Sequence, residues 1–143
     1  MLYRTDFDEN GRKTLCQMDG VNADMLMDIF VQKLAPGDTL TLEEAEKECA
    51  VLLLSGQVTF AVGNSINETC RRKNPFEKKP YAVHFCRGTK ATVTAIEGSQ
   101  VLVQMTDNDR TWRRNSTTRA TACTRSSARS VERHRAPDRL YYV

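Results

Sequence analysis

The stretch from Phe30 to Val62, FVQKLAPGDTLTLEEAEKECAVLLLSGQVTFAV, limits the fold more than any other part of the chain. An apolar strand pattern is interrupted at Ala35-Pro36-Gly37-Asp38, where proline presets φ and glycine is free to take a positive φ, as a type II turn requires. Thr39 to Leu42 reads as a second strand, and Glu43 to Glu48 as a short helix or an exposed edge. Six consecutive apolar positions follow, Cys49 to Leu54; such a run calls for cover on both faces and marks the middle of a core. Ser55-Gly56 reads as a chain reversal. Beyond it Val58, Phe60 and Val62 alternate with Gln57, Thr59 and Ala61, the period of a strand with one face inside.

The rest of the chain extends the same pattern. Met1 to Gly20 alternates Tyr3, Phe7 and Leu15 with charged residues, and Asp8-Glu9-Asn10-Gly11 is a turn signal, so an edge hairpin or an ordered arm is expected. Asn22 to Met27 has room for a short helical turn before a strand that runs to Leu34. Asn64 to Asn74 is polar, carries Arg71-Arg72-Lys73 and has no periodicity, so it reads as a loop. Pro75 and Pro80 exclude a helix interior or a central ladder position between them. Tyr81, Val83 and Phe85 place one side of a strand inside, with Ala82, His84 and Cys86 on the other, and Arg87-Gly88 turns the chain. Ala91, Val93 and Ala95, then Val101, Val103 and Met105 after Gly98, supply the last strands. Seven or eight short strands with turn signals every 8–12 residues or so indicate an all-β sandwich or barrel.

At 143 residues, 40% of them hydrophobic and 27% charged, the chain has enough for one domain with a real core. No apolar run approaches the roughly 20 residues of a membrane helix, and the charged start MLYRTDFDENGRK is unlike a secretory leader, so a cytoplasmic protein without membrane contact is expected. The five cysteines, Cys16, Cys49, Cys70, Cys86 and Cys123, are widely and irregularly spaced with no C-x-x-C pair, and read as free thiols rather than a disulfide frame or metal knuckle. Only His84 or His134 could act as base to a catalytic cysteine. A lone strand histidine such as His84 is more often packed or hydrogen-bonded than a ligand.

The net charge of +3 conceals a division. Residues 1–110 carry 13 Lys+Arg against 16 Asp+Glu, whereas residues 111–143 carry 8 Arg against Glu132 and Asp138. Between Arg113 and Arg139 there is no Gly, Ile, Leu, Phe, Met or Lys, and no core can be built from such a composition. The expected division is therefore a β domain over residues 1–109 and an Arg/Ser/Thr-rich tail over 110–143. The tail reads as disordered, or as the product of a frame-shifted reading of a GC-rich gene. An Arg-rich tail can attract phosphates, but without interleaved aromatics between Trp112 and Tyr141 a solvated tail is favoured over nucleic-acid binding.

The glycine spacing of the first long hairpin resembles that of the cupins, a family of jelly-roll proteins. Gly37 and Gly56 stand at the two glycine positions of the first cupin motif. Glu43 and Ala45 stand where cupins carry a metal-binding histidine pair, and Cys49 or Ala50 where they carry a carboxylate. In the second motif Gly88 fits, in Cys86-Arg87-Gly88, and Ala91 occupies the place of a third histidine. More specifically, KLAPGDTLTL, ECAVLLLSGQVTF and NPFEKKPYAVHF followed by TKATVTAI resemble the N-terminal half of the 5-deoxy-glucuronate isomerases of myo-inositol catabolism, over about Phe30 to Met105. The segment Phe76-Glu77-Lys78-Lys79-Pro80 is the most specific part.

That resemblance implies a cupin-like jelly roll and a family activity in which a divalent metal polarises a deoxy-uronic acid during aldose–ketose isomerisation. It also implies that the metal, zinc or manganese, belongs to a histidine-rich C-terminal lobe. For this chain the expectation is thus no catalytic, cofactor-binding or metal residue of its own, and a truncated, inactive form of the enzyme. A sugar acid is the ligand implied by family, and an edge left without its partner lobe makes self-association an expectation. The alternative is a metal-free cupin that binds a sugar acid or serves as a structural domain.

Overall fold

The structure, a computed structural model, describes residues 6–64, 66–76 and 80–109. The tail over 110–143, with Cys123 and His134, lies outside the described residues, as does the 77–79 part of the Phe76–Pro80 segment.

Eight strands run in chain order: β1 (Arg12–Cys16), β2 (Asp28–Leu34), β3 (Thr39–Leu42), β4 (Lys47–Val62), β5 (Ile66–Arg72), β6 (Tyr81–Phe85), β7 (Ala91–Ala95) and β8 (Ser99–Asp107). The one helical element among the described residues is a 3-10 turn, Ala23–Met25, as the Asn22–Met27 segment allows. All pairings are antiparallel, and the all-β expectation is met.

The strands form two sheets that share β4. Its first half lies between β8 and β6, extending through β2 to β1; its second half lies between β7 and β5, extending through β7 to β3. The sequence reading placed a reversal at Ser55-Gly56, and this is corrected: the chain passes straight through as one 16-residue strand. The register against β8 slips between Leu53 and Ser55, and Gly56 takes φ +97°. A bulge with a glycine at positive φ bends a strand sharply without ending it, and from sequence the two look alike. Gly37 has φ +90° and Asp38 N–H donates to Ala35 O at 3.0 Å, as the Pro36-Gly37 turn requires.

Three further expectations change. The Asn64–Asn74 loop is largely strand β5: Thr69 pairs with Thr59, their hydroxyls 2.8 Å apart, and Ile66, Cys70 and Arg72 turn inward. Glu43–Glu48 is neither helix nor edge; after a bend, Lys47 and Glu48 already belong to β4. Cys49–Leu54 is covered on one face only, Cys49, Val51 and Leu53 being buried while Ala50, Leu52 and Leu54 are half-buried. Of the Met1–Gly20 segment, residues 1–5 lie outside the described residues; in the rest the Asp8–Gly11 turn leads into β1, an edge strand that pairs with β2.

The core fills the space between the sheets. Val51, Leu53, Val58, Val101 and Val103 are fully buried there, joined by Phe60, Val62, Val83, Phe85 and Val93. Burying an aliphatic side chain of this size contributes about 1.5–3 kcal/mol, so this inner layer is the main source of stability.

Candidate functional site

The two segments in which cupins carry metal ligands meet at one end of the sandwich. Leu42 at the end of β3 pairs with Ala91 at the start of β7, and Gly88 N–H donates to Glu44 O at 2.6 Å. Topology therefore does at this mouth what the spacing of Gly37, Gly56 and Gly88 implies. The side chains there are another matter. Glu43 and Ala45 are exposed on the connecting bend, Ala50 is half-buried on the far face of β4, and Ala91 is 1% exposed with a methyl group as its whole side chain. Cys49 does point inward, but burial, reinforced by the Glu44 carboxylate, pushes its thiol up to about 12. A protonated thiol among aliphatics is a poor ligand for a borderline cation, and alanines offer none. The residues at this mouth do not fit a divalent metal, and among the described residues no three His, Cys, Asp or Glu side chains converge elsewhere as a set of ligands.

His84 lies on the far face of β6 from the core. Its Nε2 is 3.7 Å from Glu48 Oε2, an oxygen that also accepts from Asn108 Nδ2 at 2.6 Å. This is a surface polar cluster. Cys16 and Cys70 are buried, Cys86 half-buried, and burial raises the Cys70 thiol as well.

A second place went unnoticed in the sequence. Where β4 crosses between the sheets, Ser55, Gly56, Arg71, Arg72, Lys73, Glu97 and Gly98 line a cleft of about 510 Å³. Arg72 is 5% exposed, and its guanidinium donates from Nη1 to Leu53 O at 2.8 Å and from Nη2 to Pro75 O at 2.6 Å. Arg71 forms a two-pronged pair with Glu97, Nε to Oε1 at 3.1 Å and Nη2 to Oε2 at 3.2 Å. The cleft thus holds three basic side chains and one acid. The signal was present in Arg71-Arg72-Lys73, hidden by reading the segment as a loop; on a strand, successive residues face opposite ways, so Arg72 turns inward while Arg71 stays outside.

Comparison with solved structures shows what the scaffold resembles. An IolB-like protein from Salmonella typhimurium LT2 superposes with a TM-score of 0.67 at 24% identity, over 76% of this chain and 42% of that one. The chain therefore spans about two fifths of that protein's length. A cupin 2 domain-containing protein from Halorhodospira halophila gives 0.55 at 18% identity, covering 72% of this chain and 68% of its own. KdgF from a Halomonas species gives 0.52 at 12% identity, covering 81% and 94%. The fold is that of the cupins. No curated protein matches the sequence. The profile of the KduI/IolB family matches residues 1–134, a span that reaches past Met105 into the Arg-rich segment. With this match over most of its length, the chain belongs to the KduI/IolB family.

Proposed function

We propose that this chain is the scaffold lobe of a 5-deoxy-glucuronate isomerase-type protein of inositol catabolism, lacking in itself the metal-dependent chemistry of aldose–ketose isomerisation. The observation that carries this reading is the mouth of the sandwich: cupin topology is retained, while the ligand positions hold exposed Glu43 and Ala45, buried Ala91 and a protonated Cys49. Isomerisation of a uronic acid moves a proton between adjacent carbons and needs an electrophile on the oxygens; such help has to come from residues beyond this lobe. The test is turnover of 5-deoxy-glucuronate by the purified chain, with zinc and with manganese, alongside metal analysis. No turnover and substoichiometric metal are expected; turnover with one bound ion per chain would overturn the reading.

The cleft beside Gly56 favours a second reading, a domain that binds a sugar acid without metal. Arg71, Arg72 and Lys73 give the cleft the positive charge that a uronate carboxylate seeks, and the exposed Arg71 guanidinium, paired two-pronged with Glu97, can exchange that carboxylate for the ligand's. Calorimetric titration with glucuronate in the presence of chelator tests it. Binding that Arg71→Ala abolishes is the expected result, and a flat titration disposes of it.

A further inference from the structure

The cleft beside Gly56 contains an anion of its own. Arg71 of β5 faces Gln57 of β4 in the ladder, and Gln57 O accepts from the backbone N–H groups of Ile96, at 2.8 Å, and of Glu97, at 3.4 Å. One residue of β4 thus sets the spacing between Arg71 and the bend that carries Glu97. Ser99 Oγ ties the same bend down, lying 2.6 Å from Glu97 O and 3.1 Å from Gln57 N. With both backbones fixed, the side chains meet fork to fork, Nε to Oε1 and Nη2 to Oε2. Two parallel hydrogen bonds from one guanidinium are also the way in which arginine recognises a carboxylate on a ligand.

The bend is held by backbone bonds and by Ser99, so the Arg71–Glu97 pair is free to part without undoing it. The two side chains are 70% and 40% exposed, and separating them leaves no charge buried. A Cβ built on Gly98 would meet nothing within 4 Å, so the cleft wall next to Glu97 is open. Exposed pairs of this kind favour the paired form by a factor of only about two to five. Arg72 is the opposite case: it is 5% exposed and its guanidinium is engaged on Leu53 O and Pro75 O, so it turns to a ligand only by giving up both. An anion that enters the cleft therefore competes with Glu97 for Arg71.

We infer, on the reading of this cleft as a sugar-acid site, that Glu97 is an internal competitor whose carboxylate holds the place a ligand's carboxylate takes, and that this competition decides which ligands enter. A uronate restores both hydrogen bonds that it displaces. A neutral sugar breaks the pair and returns no charge to the guanidinium, so Glu97 lowers affinity for every ligand and lowers it most for the uncharged ones.

Calorimetric titration of the full chain with glucuronate and with glucose, at low ionic strength and with chelator, tests the inference. Glu97→Gln should bind glucuronate about two to five times more tightly than the wild type, with an unchanged far-UV spectrum. Glu68→Gln removes the same charge three residues away on β5 and should leave the affinity unchanged, which separates competition from net charge. Adding Arg71→Ala to Glu97→Gln should abolish binding, and glucose should bind the wild type at least about tenfold more weakly than glucuronate. Affinity that Glu97→Gln leaves equal or lowers, an equal gain from Glu68→Gln, or glucose bound as tightly as glucuronate would overturn the inference, while the wild-type isotherm keeps the sugar-acid reading. Flat titrations of both wild type and Glu97→Gln would overturn the two together. Binding confined to Glu97→Gln would uphold the competitor and remove the sugar-acid reading for the wild type alone.

Discussion

Gly56 and Ser99 pack so tightly that a Cβ built on the glycine would lie 2.2 Å from the Ser99 hydroxyl oxygen and 2.6 Å from the Ser99 Cα. Ser99 Oγ in turn accepts from Gln57 N–H at 3.1 Å and lies 2.6 Å from Glu97 O, to which it can donate, so the bend in β4 is pinned to the start of β8. Neither neighbour can yield cheaply, since one contact is backbone and the other is hydrogen-bonded. Gly56→Ala meets both this overlap and a φ of +97°. It should destabilise the domain by about 3 kcal/mol, read as a lowered midpoint in urea.

Asp28 and Lys47 form a half-buried pair at 2.5 Å, with Met18 N–H donating to the other carboxylate oxygen at 2.9 Å. For Asp28, desolvation pushes its pKa up, but the Lys47 hydrogen bond, the Met18 N–H and the Lys47 charge together outweigh it, and the net shift is down. Lys47 is raised, chiefly by its hydrogen bond to Asp28. A depressed carboxylate stabilises above its unfolded pKa of about 3.9 and loses that contribution as pH falls through the lower folded value; the raised ammonium stabilises below about 10.4 and loses it as pH rises. Asp28→Asn should therefore cost about 1–2 kcal/mol at neutral pH and less at pH 2. Melting curves of both proteins across that range check it.

Cys49 should resist alkylation. Its thiol, raised to about 12 by burial and then by Glu44, stays protonated at pH 8, and only the thiolate is nucleophilic. Mass mapping after iodoacetamide should find half-buried Cys86 labelled well before Cys49, with Cys49 reacting only when urea unfolds the chain. Since the unfolded thiol ionises near 8.5, this residue's contribution to stability is intact below that pH and lost as pH rises towards 12.

Restoring one cupin ligand position alone should be costly. Ala91 pairs with Leu42 and Val62 and is 1% exposed, so Ala91→His brings a larger ring and a polar group into a buried apolar wall. A loss of about 3 kcal/mol or more is expected, with no gain of zinc affinity by titration.

Most strands were legible because their inward faces are uniformly apolar. Val83 with Phe85, Ala91 with Val93, and Val101 with Val103 alternate cleanly, and the structure buries all of them. β5 was not legible: of its seven residues only Ile66 and Cys70 carry apolar side chains inward, and the third inward position is Arg72, which satisfies itself on the Leu53 and Pro75 carbonyls. The glycine at 56 misled because a strand corner and a hairpin call for the same residue. At the candidate site, the spacing of Gly37, Gly56 and Gly88 disclosed where the two motif segments meet. That Ala91 is sealed in, and that Glu43 and Ala45 stand outside, depended on side-chain direction, which spacing does not carry.

The strand that belongs to both sheets leaves the domain without a seam. Every route that would peel one layer from the other runs along β4 and must break ladders on both of its sides, to β8 and β6 before the bend and to β7 and β5 after it. Local opening cannot stop halfway, so backbone amides from Val51 to Phe60 should exchange with deuterium at one common slow rate, set by global unfolding, while those of β1 and β3 exchange sooner. The layers are two in shape and one in how they come apart.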